Sequence, residues 1–211
     1  MKILPLLLAG SLLGAGATFT AHHLFAQEPT QEPSPDMSPE AQMELMQAMM
    51  KMGAPGEEHK AMKAWLGNWN AEMKMRMSPE ADWETYKGKA KIQSALGGRY
   101  IIEKFEANLG PMMGEMEGLL IFGYNNLTKQ YESSWRDNWS TWASTATGFQ
   151  NEEGMYEMSG LMKDLVTPEG RHTHYTTGMV SEDHMVMHMY DTIPPHGDVK
   201  VMQIDYFRVK E

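Results

Sequence analysis

Histidine and methionine are the residues here whose types and spacing suggest chemistry. His172 and His174 lie two residues apart, which sets both on one face of a strand, and His184 and His188 share a face of the next stretch. Imidazoles suit Zn or Cu(II), and imidazole with thioether suits Cu(I). The turn at 180–183 decides what meets what. If it pairs residues whose numbers sum to an even value, all four imidazoles fall on one face; a one-residue slip sets His172 and His174 opposite Met185, Met187 and Met189. The same alternation also fits a plain polar outer face with the three methionines turned inward.

A second cluster is acid–base in type. Arg136, Asp137, Glu103 and Glu106 fall in neighbouring central segments, but no Ser-His-Asp pattern or glycine elbow accompanies them. Arg99 and Arg136 equally suit ion pairs with Asp137 or Glu103. The pattern favours a binding protein over an enzyme. With no cysteine in 211 residues, disulfides, thiolate metal sites and thiol nucleophiles are excluded together. A formal charge of −10 excludes nonspecific nucleic-acid binding, which requires clustered cations. The 22 methionines fill irregular apolar space and adapt to varied ligands.

These groups must be positioned by what surrounds them. Residues 1–26 read as a secretory signal peptide: Lys2, then an apolar run through Leu6, Leu7, Leu8, Leu12 and Leu13, then small residues. Ala26-Gln27 is the expected cut, and the alternative is an uncleaved anchor, the one route by which the chain would engage a membrane. Export to the periplasm or medium follows as the expectation. Residues 27–38 form an acidic, proline-rich linker of the kind that stays disordered. Residues 39–66 make a helical prelude opening at Ser38-Pro39. Met43, Met46, Met49 and Met50 form a stripe at helical spacing that is expected to dock on the following domain.

From Gly67 the period changes to two. Trp69, Ala71, Met73, Met75 and Met77 alternate with Asn70, Glu72, Lys74 and Arg76, as in a half-buried antiparallel strand. Nine further runs follow, broken at Gly97-Gly98, Gly110-Pro111, Asn125-Asn126, Gly154, Gly170 and Pro194–Gly197. About ten strands with short connections predict an all-β, antiparallel up-and-down barrel over 67–211, preceded by one or two short helices. A β-sandwich is the alternative.

Gly67-Asn68-Trp69, Leu96-Gly97-Gly98-Arg99-Tyr100, Gly123-Tyr124-Asn125 and Trp135-Arg136-Asp137-Asn138-Trp139-Ser140-Thr141 resemble a bacterial family catalogued as domain of unknown function 1579, over roughly 59–208. The resemblance implies a calycin-like barrel, similar to lipocalins, fatty-acid-binding proteins and nitrobindin, and no established reaction. Asn125 and Gln203 stand where the family usually shows acids, so any site built on those acids lacks them here. The nitrobindin likeness raises heme, with His172, His174 or His188 as axial ligand. The reading that best joins these features is a small apolar or amphipathic ligand in a barrel cavity. Trp69, Met73, Met75, Tyr100, Phe122, Trp135 and Met187 are expected to line it, and Arg99 and Arg136 to orient an anionic head.

Overall fold

The computed structural model describes residues 37–165 and 167–210. The proposed signal peptide and nearly all of the linker lie outside the described residues. Contact density divides the chain at Glu44/Leu45. Helix α1, Pro39–Met52, runs across that division and buries none of its residues. The methionines past that division are solvent-facing, with Met46, Met49 and Met50 each 63–70% exposed, contrary to the docked stripe expected from periodicity.

Ten antiparallel strands close into one barrel in chain order: β1 Gly67–Met75, β2 Glu84–Ala95, β3 Tyr100–Asn108, β4 Glu115–Asn125, β5 Gln130–Asp137, β6 Ser144–Gln150, β7 Tyr156–Met162, β8 Arg171–Ser181, β9 His184–Ile193 and β10 Gly197–Arg208. Seven residue pairs from Trp69↔Arg208 to Met75↔Met202 join the first strand to the last. Closure leaves no sheet edge unpaired. A sandwich is ruled out by that continuous ring.

Alternation assigns the two faces. Trp69, Ala71 and Met73 on β1 are buried, as are Ala90 and Ile92 on β2, Ile101, Phe105 and Ala107 on β3, and Met116 and Phe122 on β4. The apolar set expected on β1 ends at Met75. Met77 lies past the strand, beside the Ser78-Pro79 break, and is 80% exposed.

One end of the barrel is closed by a plug. Helix α2, Glu57–Ala61, continues into a 3-10 turn, Met62–Trp65, whose Met62 and Trp65 are both buried. The Trp65 indole stacks on Phe122 at 5.1 Å and meets Tyr156 edge-on at 5.1 Å. Its carbonyl accepts the Trp69 indole N–H at 2.9 Å. Arg208 locks this plug to the last strand. Its guanidinium donates to the carbonyls of Ala64 and Leu66 (2.7 Å each) and lies 4.1 Å over the Trp69 ring. Buried His59 is held in the same plug: Nδ1 accepts from the Gly56 N–H at 3.0 Å, and the ring meets Tyr124 edge-on.

β6 and β7 approach so closely at this end that only glycine fits at position 148. A Cβ there would lie 1.9 Å from the Glu157 carbonyl oxygen. Because that neighbour is backbone, it can yield only by parting the strands. Gly148→Ala is expected to cost about 2–3 kcal/mol in urea unfolding, at the upper end of the range for overpacking.

Candidate functional site

The interior is asymmetric. Around the plug, Trp69, Phe122, Tyr131, Tyr156 and Met158 are at most 4% exposed and pack ring on ring, with Tyr131 and Tyr156 at 4.6 Å. Toward the opposite end, the inward positions Met75, Tyr86, Leu120, Trp135, Tyr175, Met187 and Met202 are half-buried while still packing on the core. The end away from α2 is thus the looser one, a cup only in the sense that its methionine and aromatic lining is partly open to solvent.

The floor of the cup carries a carboxyl that the sequence offers only for acid–base chemistry or for an ion pair with Arg99 or Arg136, neither of which reaches it. Glu103 on β3 is 4% exposed, between the inward residues Ile101 and Phe105 and across from Ile92 and Leu120. Burial raises its carboxyl to about 7, partly opposed by the Tyr206 hydroxyl, which donates to Oε1 at 3.1 Å. Tyr206 itself is held well above its ordinary value by burial and by that carboxyl. On the facing wall the Tyr175 hydroxyl donates to Ser133 Oγ at 2.7 Å, and burial pushes the phenol up to about 12. The signal for Glu103 was its parity, one acid in the run Ile101-x-Glu103-x-Phe105.

Trp135 lies flat against the wall because Gly118 beside it has no side chain. A Cβ at that position would meet the indole at 2.1 Å. Its N–H donates to Asp137 Oδ2 at 3.0 Å, while Asp137 Oδ1 accepts the Trp139 and Ser140 amides and so shapes the turn after β5. Asp137 is thereby committed to architecture. Glu106 is exposed on the outer face.

Of the residues read as lining, Trp69, Met73 and Phe122 are interior but fully packed, and Met75, Trp135 and Met187 face the cup. Three others are corrected. Tyr100 occupies an outward position on β3 and covers Gly123 from outside, 36% exposed. Arg99, in the turn before β3, donates to the carbonyls of Gly53 and Leu96. Arg136 points outward from β5 and donates to Ser134 Oγ at 2.9 Å. None of the three reaches the interior: Tyr100 and Arg136 are even-numbered on strands whose odd-numbered residues face inward, and Arg99 lies in the turn with its guanidinium on backbone carbonyls.

The four histidines share the outer face. Thr173↔Asp191 and Thr177↔Met187 set the even-sum register, which turns Met185, Met187 and Met189 inward. His174 stacks on Tyr190 at 4.7 Å and lies 3.8 Å from Asp198. His184 stacks on Phe207, with Nε2 2.9 Å from Asp205 Oδ1. His188 opposes Thr176 and Gln203, and burial, then the nearby Lys200, holds its imidazole below the ordinary value. His172 is exposed opposite Leu161. Among the described residues no three His, Asp or Glu side chains come together in a metal-binding group. None of the histidines put forward for heme faces the interior, so the residues present do not fit an axial ligand inside the barrel.

A closed, ten-stranded antiparallel barrel with a helical plug and an interior carboxyl is a calycin-like barrel. The chain belongs to the family described as "Protein of unknown function (DUF1579)", whose model matches residues 54–208. An S-type phycobiliprotein lyase, CPES, from Guillardia theta shares the fold: TM-score 0.52, 10% identity, 77% of this chain and 97% of that one covered. No curated protein matches the chain.

Two outer concavities are also present. One, about 580 Å3, is lined by residues of β1–β3 including Asn70, Lys87, Lys89 and Glu106. The other, about 300 Å3, lies between Tyr100, Ile121, Glu132 and Thr147. Neither gathers convergent buried polar groups of the kind found at the floor of the cup.

Proposed function

We propose that this protein binds, without catalysing a reaction, a small apolar or amphipathic molecule in the half of the barrel that faces away from α2. The observation that carries the reading is the grading of the interior. Tight ring packing at the plug gives way to half-buried methionine and aromatic side chains above a carboxyl with one protein partner. Apolar enclosure with few polar groups is the usual composition of a small-molecule site, and methionine walls adapt to ligand shape. The test is uptake of the neutral fluorophore N-phenyl-1-naphthylamine. The natural protein should bind it, and Leu120→Trp, which fills the cup from the wall, should weaken binding at least about tenfold, equivalent to a loss of about 1.4 kcal/mol. Absence of uptake by the natural protein would refute the reading.

We further propose that the protein works outside the cytoplasm, with residues 1–26 as leader. Support comes from the charge-free apolar run after Lys2. Intact-mass measurement of the protein from the cell envelope should give a chain beginning at Gln27; a chain retaining residues 1–26 would instead indicate an anchor.

A further inference from the structure

We infer, on the reading of the cup as the ligand site, that its floor recognises a protonated amine carried by an apolar body, with Glu103 receiving the ammonium. Four of the polar side chains around the floor and lower wall have already given their hydrogens away. The Tyr206 hydroxyl donates to Glu103 Oε1 at 3.1 Å, and the Tyr175 hydroxyl to Ser133 Oγ at 2.7 Å. The Ser133 hydroxyl donates to the Ala146 carbonyl at 3.4 Å, and the Trp135 indole N–H to Asp137 at 3.0 Å. What remains for a ligand is lone pairs: the second oxygen of Glu103, which has no hydrogen-bond partner among the described residues, and the phenol oxygens of Tyr206 and Tyr175. Such a floor demands a donor.

Ammonium groups supply three donors and no acceptor, whereas a carboxylate supplies only acceptors and is repelled. Rings complete the complement. Phe105 stands 6.3 Å from both Trp135 and Tyr206, so the floor is walled by aromatic faces of the sort that attract a desolvated cation. A buried carboxylate ordinarily has a cation or several donors. Glu103 has one hydroxyl, and no cation among the described residues acts on it. Arg171, the guanidinium at the inward position near the rim, is already bound to Asp191 at 3.1 Å and to Asp164.

The titratable groups facing Glu103 are Tyr206 from β10 and Tyr175 from β8, both held above the neutral range by burial. Its ladder neighbours Ile92 and Leu120 carry none. Below about pH 7 the carboxyl keeps its own proton and offers a neutral oxygen something to accept; above it the floor is acceptor-only. Preference for amine should therefore grow with pH.

Isothermal titration of the full chain with octylamine, octanol and octanoate at pH 6 and pH 8 tests this. At pH 8 octylamine should bind at least about tenfold more tightly than octanol, with octanoate weakest, as expected for a charge-assisted bond in a dry site. The gap should narrow at pH 6, and Glu103→Gln should bring the amine-to-alcohol ratio near one. Octanol or octanoate binding as well as octylamine, or a preference that survives Glu103→Gln, overturns the inference while leaving the cup as a ligand site. If the variant does not fold, the pH dependence of the natural protein decides alone. Failure of all three octyl compounds overturns the inference, and failure of the neutral fluorophore as well removes the site on which it rests.

Discussion

Glu103→Gln should make the protein more stable at pH 8 and leave it nearly unchanged at pH 4. The sign follows from the direction of the shift. A carboxyl at about 7 in the folded state and near 4.5 when unfolded holds its proton more tightly folded than unfolded. Its contribution is most favourable to folding below 4.5, and is lost progressively as pH rises through 7. The full loss is about 3 kcal/mol, from about 1.4 kcal/mol per pH unit. Glutamine cannot ionise, so the variant should lack that decline and exceed the natural protein by about 2–3 kcal/mol at pH 8, less whatever an imperfectly paired amide costs. Urea midpoints for the two proteins from pH 4 to 8 give the difference curve. A flat difference would show that Glu103 ionises as freely folded as unfolded. A natural glutamate at a position where glutamine is expected to be the more stable fits a residue kept for binding.

The second large effect is at the closed end. Trp65→Ala removes the buried indole that stacks on Phe122 and meets Tyr156, and leaves a void at their side. Deleting a buried tryptophan side chain costs about 3–5 kcal/mol, since the surrounding barrel cannot collapse into the space. The Trp65 carbonyl still accepts from Trp69, so the loss is one of packing rather than hydrogen bonding. Thermal and urea unfolding should both show it. A shift below about 1 kcal/mol would mean that the plug is peripheral to stability.

Much of the architecture was legible because it rests on local signals. Period-two alternation from Trp69 to Met75 and turn residues such as Gly97-Gly98 and Asn125-Asn126 mark strands and breaks without reference to tertiary contacts. The cup was half legible. Trp135 and Met187 follow from parity, but Arg99, Tyr100 and Arg136 were chosen for membership of a motif. A motif residue that maintains the scaffold looks the same in sequence as one that touches a ligand. Tyr100 covers Gly123 from outside and Arg99 ties the turn to Gly53, and both tasks are structural. Glu103 was obscured for the opposite reason: charge argues for solvent, while its place between Ile101 and Phe105 argues for the interior. The register of β8 on β9 depends on a bulge between Met179 and Ser181, which leaves no mark in the residue types. The α1 methionines show the limit of periodicity, which reveals an apolar stripe but not whether anything covers it.

Arg208 reaches back to the Leu66 carbonyl across 142 residues of chain, and the strand that carries it is synthesised after the other nine. Until β10 arrives, β1 and β9 are both raw edges and the plug has no latch. Closure of the barrel therefore waits on the slowest kind of contact, one between distant parts of the chain. A ribosome-bound polypeptide that still lacks β10 leaves β1 and β9 each unpaired on one side, so its sheet carries two sticky margins.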